Sequence, residues 1–391
     1  MRAVVKFGGA DLSEGRRIKK AARLVYDSNY DEKVVVVSAM GNTTDNIEEL
    51  IKGTESSIGE ADYADILSMG ERLSARMFSS ALKSLGARVV YFDPTQNNWP
   101  IRTDSNFMEA RIDYKKTRAL VKKHVGAVLK DTIPVVCGFL GRCGDRITLL
   151  GRGGSDITAT LLANTLDADE VILVKDTDGV LSADPDVVKS VKSLEKVDIC
   201  DLFALAHGGG RVIHPRALEF KTGKQKLRIV PFSSRSLSDG GTEIIGGFDA
   251  RRPLVTAVKG ISGLTAIGNI DGSTLKGLFS VLERSKVYGI STGRRSLTVF
   301  IYGRNAGRAL RAAHKKGIFE AISHMEGLGV VEIMHPDFIN LHGIVAKITN
   351  MLAAKNLNII EVSTSKASID IFLREEDVET AKGLIGDGLE I

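Results

Sequence analysis

Proline is scarce in this chain of 391 residues: there are eight, where a typical share of ~5% would give about twenty. That excludes a collagen-like or linker-rich architecture. Cysteine is scarce too. Cys137, Cys143 and Cys200 cannot all pair, and none lies in a Cys-x-x-Cys unit, so neither a disulfide framework nor a zinc site is expected and the compartment reads as reducing. Charge of one sign is missing: 53 basic side chains face 48 acidic ones, interleaved along the chain, which argues against a nucleic-acid partner. No run approaches the roughly 18 apolar residues of a membrane span. The opening MRAVVKFGG carries a lysine inside its short apolar run, so no secretory leader and no membrane partner are expected, and the protein is placed in the cytoplasm.

What is present is apolar bulk and glycine. With 43% hydrophobic and 26% charged residues the chain can bury several cores, and its length predicts two or three domains. Forty glycines are about 10% of the chain against a usual ~7%. Glycine without proline fits tight strand-to-helix turns and backbone that approaches a ligand.

Short apolar runs over 3–7 and 33–38 read as buried strands around a helical pattern over 14–28, a βαβ unit. Helices over 60–85, 109–131 and 156–166 then alternate with strands over 87–92, 133–137, 146–150 and 169–174, which predicts a layered α/β domain. A last strand over 228–232 precedes a Ser/Gly-rich stretch, 233–247, read as the domain boundary. The remaining residues contain a repeat. Shifting Val287–Ile301 onto Ile359–Leu373 matches Ser291 with Ser363, Thr292 with Thr364, Ser296 with Ser368 and Phe300 with Phe372. Each copy reads as helix, strand, turn, strand, helix, and units this small are expected to pair so that their sheet edges are covered.

Chemistry-bearing motifs sit where the strands end. Lys6-Phe7-Gly8-Gly9 closes the first strand, at the sheet edge where open α/β folds bind ligands. Its glycines would admit anionic oxygens to backbone N–H groups, and its lysine would supply a cation. Gly151-Arg152-Gly153-Gly154-Ser155-Asp156 lies between a strand and a helix start, a second natural anion site. Neither is a Walker A loop or a complete G-x-G-x-x-G. Ser38 to Asp45, Gly70 to Ser74, and the acidic stretch Lys175 to Pro185 also follow strands or open helices.

Taken together, KFGG, SAMGNTTD, GERLSA, GFLGR, LGRGGSD, DTDGVLSADP and GGGRVIHPRALE resemble, in order and spacing, the motifs of the amino acid kinase family, and most closely its aspartate kinases. The resemblance implies a three-layer amino-acid-kinase-like sheet sandwich over 1–245. Over 246–391 it implies a pair of α+β, ferredoxin-like ACT domains, the first copy over 261–323 and the second over 325–391 plus a strand at 253–259. It implies ATP-dependent phosphorylation of the β-carboxylate of L-aspartate to 4-phospho-L-aspartate, opening the lysine, threonine and methionine pathway, with ATP and Mg2+ as cofactors. By the same resemblance Lys6 and Asp156 are catalytic, with Asp156 orienting Lys6 or neighbouring groups. Ser38, Thr44, Glu71, Arg152 and Ser155 bind substrate: Glu71 takes its α-ammonium and Arg152 a carboxylate. Gly8, Gly9, Lys175, Asp176, Asp178, Asp184 and Arg211 border the nucleotide.

Asp271, Ser273, Thr274, Ser291 and Thr292 are candidate contacts for an amino-acid effector such as lysine or threonine, and a homodimer through the ACT domains is expected. The seven histidines include no pair at helical ligand spacing, so no protein-bound metal is expected. Several positions depart from the family pattern: Lys175 stands where threonine is usual, Leu181 where tyrosine is, Asp186 where arginine is, and Arg211 where lysine is. The alternatives are another kinase of the family, acting on glutamate, acetylglutamate or a nucleoside monophosphate, or a non-catalytic ACT-type amino-acid sensor.

Overall fold

In the computed structural model, residues 55–57, 209, 211, 249–251, 283–284, 304–305, 336–337, 339–340, 366–367 and 390–391 are not described; all others are. The chain divides into two compact units, Met1–Phe248 and Asp249–Ile391.

The first unit carries ten strands: β1 (Arg2–Phe7), β2 (Glu32–Val37), β3 (Val89–Phe92), β4 (Ile133–Cys137), β5 (Leu140–Cys143), β6 (Arg146–Leu149), β7 (Glu170–Lys175), β8 (Lys196–Asp198), β9 (Lys226–Pro231) and β10 (Thr242–Ile245). Eight of them form one sheet in the order β3-β4-β2-β1-β7-β9-β10-β8. From β3 to β9 every pairing is parallel, and β10 turns antiparallel to β9. Val34–Val37 and Ala3–Val5 are wholly buried, as interior parallel strands covered on both faces must be. Two groups of helices do the covering. Gly15–Tyr26 packs with Met69–Ser84, which reaches β2, β3 and β4; Gly154–Thr165 packs with Tyr114–His124 and Pro215–Leu218 and reaches β1, β2 and β7.

Several elements differ from the sequence reading. The single helix expected over 60–85 is two, Glu60–Leu67 and Met69–Ser84, parted at Ser68, whose hydroxyl donates back to the Asp65 carbonyl at 2.6 Å. The helix expected over 109–131 is confined to Tyr114–His124, capped by the Asp113 carboxylate accepting from Lys116 N–H. The strand expected over 146–150 leaves the main sheet and pairs with β5 as a hairpin. The Ser/Gly-rich stretch over 233–247 is no bare linker, because it contains β10, which sits inside the eight-stranded sheet.

The second unit is one six-stranded antiparallel sheet of β11 (Leu254–Ile267), β12 (Val287–Thr292), β13 (Ser296–Tyr302), β14 (Ala321–Met334), β15 (Ile359–Thr364) and β16 (Ser368–Arg374), in the order β12-β13-β11-β14-β16-β15. β11 and β14 are long and serve both repeats, pairing with each other along their lengths through two register shifts near Gly260 and Gly327. Each repeat buries its own helices on one face, around Leu264, Leu297 and Val299 in the first and around Val331, Ile369 and Ile371 in the second. The internal symmetry reaches small details. Bulges fall at Val287/Gly289 and at Ile359/Glu361, matching repeat positions, and the matched Phe300 and Phe372 stack on each other with centroids 3.8 Å apart.

Candidate active site

The carboxyl ends of β1, β2 and β7 open into a cavity of about 400 Å3 lined by Lys6, Gly9, Ser38, Thr44, Glu71, Phe139, Arg152, Ser155, Asp156 and Lys175, with further backbone from Ala39, Gly41, Gly151, Gly153 and Gly154. Six segments far apart in sequence meet there. The parallel register explains it: β1 lies between β2 and β7, so the turns that leave the three strands share one edge.

Two turns shape the walls. Gly153 heads the helix Gly154–Thr165 at φ +71°, and a Cβ there would lie 2.2 Å from His214 Cβ, so only glycine fits on both backbone and packing grounds. Gly70 lets the start of the helix Met69–Ser84 press against Ala39, where an added Cβ would come within 2.8 Å of the Ala39 Cβ. That approach carries Glu71 into the cavity. Its Oε1 accepts from Ala39 N–H at 3.1 Å, while Oε2 is buried without a hydrogen-bond partner among the described residues. Burial pushes the Glu71 carboxyl up to about 7, against the opposing hydrogen bond from Ala39. The neighbouring Arg72 turns the other way, to the buried Asp93 that Arg76 also engages.

The floor is charged. Lys6 Nζ lies 2.8 Å from Asp156 Oδ1, and Lys175 Nζ lies 2.7 Å from Asp156 Oδ2. Lys6 and Asp156 are almost fully buried. Burial alone would raise the Asp156 carboxyl, but the ammonium groups of Lys175 and Lys6 outweigh it and hold the group below the ordinary carboxylate range. Burial lowers the Lys6 ammonium from its usual value, with Asp156 opposing. Two lysines thus share one carboxylate at the floor. Arg152 stands exposed at the rim.

The other expected site residues lie elsewhere. Gly8 does not line the cavity; its N–H donates to Asp11 Oδ2 at 3.0 Å. Asp176, Asp178 and Asp184 are exposed on the stretch after β7 and are not among the lining residues. Asp184 accepts from Asp186 N–H at 2.9 Å. Arg211 is outside the described residues. In the second unit, Asp271 Oδ1 accepts from the N–H and hydroxyl of both Ser273 and Thr274, which pulls its carboxyl down to about 2 and closes the start of the helix Gly272–Leu282. Ser291 and Thr292 lie on β12, paired with Thr298 and Leu297.

Two residues escaped the sequence reading. Asp11, three positions after Gly8, is buried, and that burial pushes its carboxyl up to about 6 against the bond from Gly8; Arg17 lies 3.7 Å from its other oxygen. Phe139, inside the quoted GFLGR segment, lines the cavity at φ +68°, a left-handed conformation that costs a non-glycine residue of order 1–3 kcal/mol. A phenylalanine in that segment looks like ordinary core, so only the fold exposes its position.

Residues 1–231 match the amino acid kinase family. Over almost its whole length the chain is similar to Aspartokinase 2 of Bacillus subtilis, with 30% identity covering 99% of this chain and 97% of that one. The chain belongs to the aspartokinases of the amino acid kinase family. The aspartokinase of Corynebacterium glutamicum is similarly related, with 30% identity covering 97% of this chain and 93% of that one. Among solved structures, an aspartate kinase from Synechocystis shares the fold at a TM-score of 0.72 and 23% identity, covering 99% of this chain and 69% of that one. Escherichia coli aspartokinase III, solved with aspartate and ADP, matches at a TM-score of 0.58 and 21% identity over the full length of both chains. As an aspartokinase, the chain joins a three-layer kinase unit to a double ACT-type sheet. Among the described residues no helix is long and apolar enough to cross a membrane.

Proposed function

We propose that this aspartokinase transfers the γ-phosphoryl group of ATP to the β-carboxylate of L-aspartate, forming 4-phospho-L-aspartate. The observation that carries the reading is the cavity itself, which joins a buried carboxylate, a rim guanidinium and a doubly cationic floor within reach of one small zwitterion. A β-carboxylate is already ionised at neutral pH, so the acceptor needs no general base. The chemical demand is to bring two anions together and to stabilise charge on the phosphoryl in flight. Lys6 answers that demand from the floor, with Asp156 fixing its direction.

Glu71 would receive the α-ammonium of aspartate, and the Arg152 fork would hold its α-carboxylate. Ser38, Thr44 and Ser155 supply hydroxyls along the wall. Gly9 offers close backbone approach, and Asp176, Asp178 and Asp184 would border the nucleotide beyond the cavity. A magnesium ion would arrive with the nucleotide and be held chiefly by its phosphate oxygens. When bound, that ion would neutralise charge on the phosphates.

The second unit is read as the regulatory half. Lysine or threonine would be its effector, meeting the Asp271–Thr274 turn and Ser291-Thr292, and the unit would join two copies of the chain. The cytoplasm suits three free cysteines. Trapping the acyl phosphate with hydroxylamine tests the catalytic reading. With MgATP, aspartate should give the hydroxamate and glutamate or acetylglutamate little; UMP is scored by ADP release. Preference for another acceptor would overturn it.

A further inference from the structure

We propose that Lys175 is a second catalytic cation, acting with Lys6 on the transferring phosphoryl group instead of bordering the nucleotide. The proposal deepens the phosphotransfer reading above and rests on it.

Lys6 pairs across the sheet with Leu173, so the two side chains share a face, and Lys175 lies two residues further along the same strand on that face. The strand end is pinned, because Phe232 N–H donates to the Lys175 carbonyl at 2.6 Å. The Lys175 ammonium then enters the cavity and takes Asp156 Oδ2, while Lys6 takes Oδ1. One carboxylate thus holds two lysine side chains side by side, one on each oxygen. Asp11 also acts on Lys6 electrostatically and lies 3.7 Å from Arg17. Among the described residues neither ammonium has an ion pair besides Asp156, and both line one cavity with the Gly9, Gly151 and Gly153 turns.

The acidic residues that follow Lys175 in sequence leave the cavity for solvent. A lysine that only bordered the nucleotide would follow them. With 21% of its side chain exposed, Lys175 is still reachable by a ligand. The threonine usual at this position in aspartate kinases has no charge to offer, so the substitution adds a cation to the reacting centre of this chain.

The step balances without a proton. A β-carboxylate oxygen of aspartate forms the new O–P bond as the bond from the γ-phosphorus to its bridging oxygen breaks, and that bond's electron pair leaves on ADP. Two ammonium groups fixed before the event by one carboxylate stabilise the equatorial oxygens without reorganising.

The test compares Lys175→Met with wild type in the full chain, by calorimetric titration with MgADP alone and with MgADP plus aluminium fluoride, a mimic of the phosphoryl in flight that needs no acceptor. The methionine variant should weaken the fluoride complex at least tenfold and MgADP alone less than threefold. Its kcat should fall at least tenfold with little change in the KM for ATP. Lys175→Arg should recover most of the fluoride affinity. Equal weakening of both complexes, or a raised KM for ATP at normal kcat, would return Lys175 to the nucleotide edge and overturn the proposal. Lys175→Thr repeats the comparison if circular dichroism shows the methionine variant unfolded. Wild type that forms no aspartyl hydroxamate refutes the acceptor instead, and the fluoride comparison still decides Lys175.

Discussion

Replacing Glu71 with glutamine removes one buried charge while keeping the side chain's shape and its bond to Ala39. The carboxyl sits up at about 7 in the free protein because burial opposes ionisation. Binding the α-ammonium of aspartate requires the ionised form. The kcat/KM for aspartate reports ionisations of the free enzyme, so going from pH 8 to pH 6 should cut it about tenfold, with an ionised fraction falling from roughly ten-elevenths to one-eleventh. The kcat should respond less, because bound ammonium favours the carboxylate. In Glu71→Gln a charge-assisted contact of about 1.5–3 kcal/mol is lost, which predicts kcat/KM for aspartate down by roughly 10- to 150-fold at pH 8. The acid limb should disappear in that variant.

Stability should move the opposite way. The folded state holds this proton more tightly than the unfolded chain does, so stability is full below about 4.5 and is lost as pH rises to about 7, by about 3 kcal/mol. Glu71→Gln should therefore melt above wild type at pH 8 without ligand, the difference narrowing toward pH 5. Steady-state kinetics at saturating ATP and thermal melts over pH 5–8 check both halves. A wild-type kcat/KM flat between pH 6 and 8, or an acid limb that survives in Glu71→Gln, would refute the reasoning.

Arg152→Ala should raise the KM for aspartate far more than that for ATP in steady-state assays if its fork, exposed on the cavity lining, holds the acceptor as proposed; equal effects would remove it from the acceptor pocket. Gly153→Ala forces a Cβ onto His214 at a left-handed φ, so it should cost of order 1–3 kcal/mol by urea denaturation and disturb turnover; wild-type stability would contradict the packing described. Phe300→Ala breaks the stack with Phe372 inside the second unit and should destabilise by about 3–5 kcal/mol, read by calorimetry, whereas an unchanged transition would mean that the symmetric ring pair is not a packing centre.

The chain sequence by itself determined a good deal. Alternating apolar runs specified parallel strands because buried strands need covering on both faces, and the 72-residue match between Phe300 and Phe372 revealed two like units. Motif order identified most of the cavity lining, since glycine turns and strand-end charges are local features with local signatures. Only the tertiary structure decided how those features combine. Helix ends at Ser68 and Asp113 depended on side-chain hydrogen bonds that compete with periodicity. The merging of the two repeats into one sheet depended on β11 and β14 running on through their bulges.

Gly8 and Gly9 are neighbours in sequence, yet one faces the cavity and the other is occupied by Asp11. Lys175 reads from its sequence neighbours as part of an acidic nucleotide loop, while register places it beside Lys6 on Asp156. The reason is range. Turn chemistry and periodicity act over a few residues, whereas the charge state of a buried group is set by whatever the fold brings within a few ångströms of it.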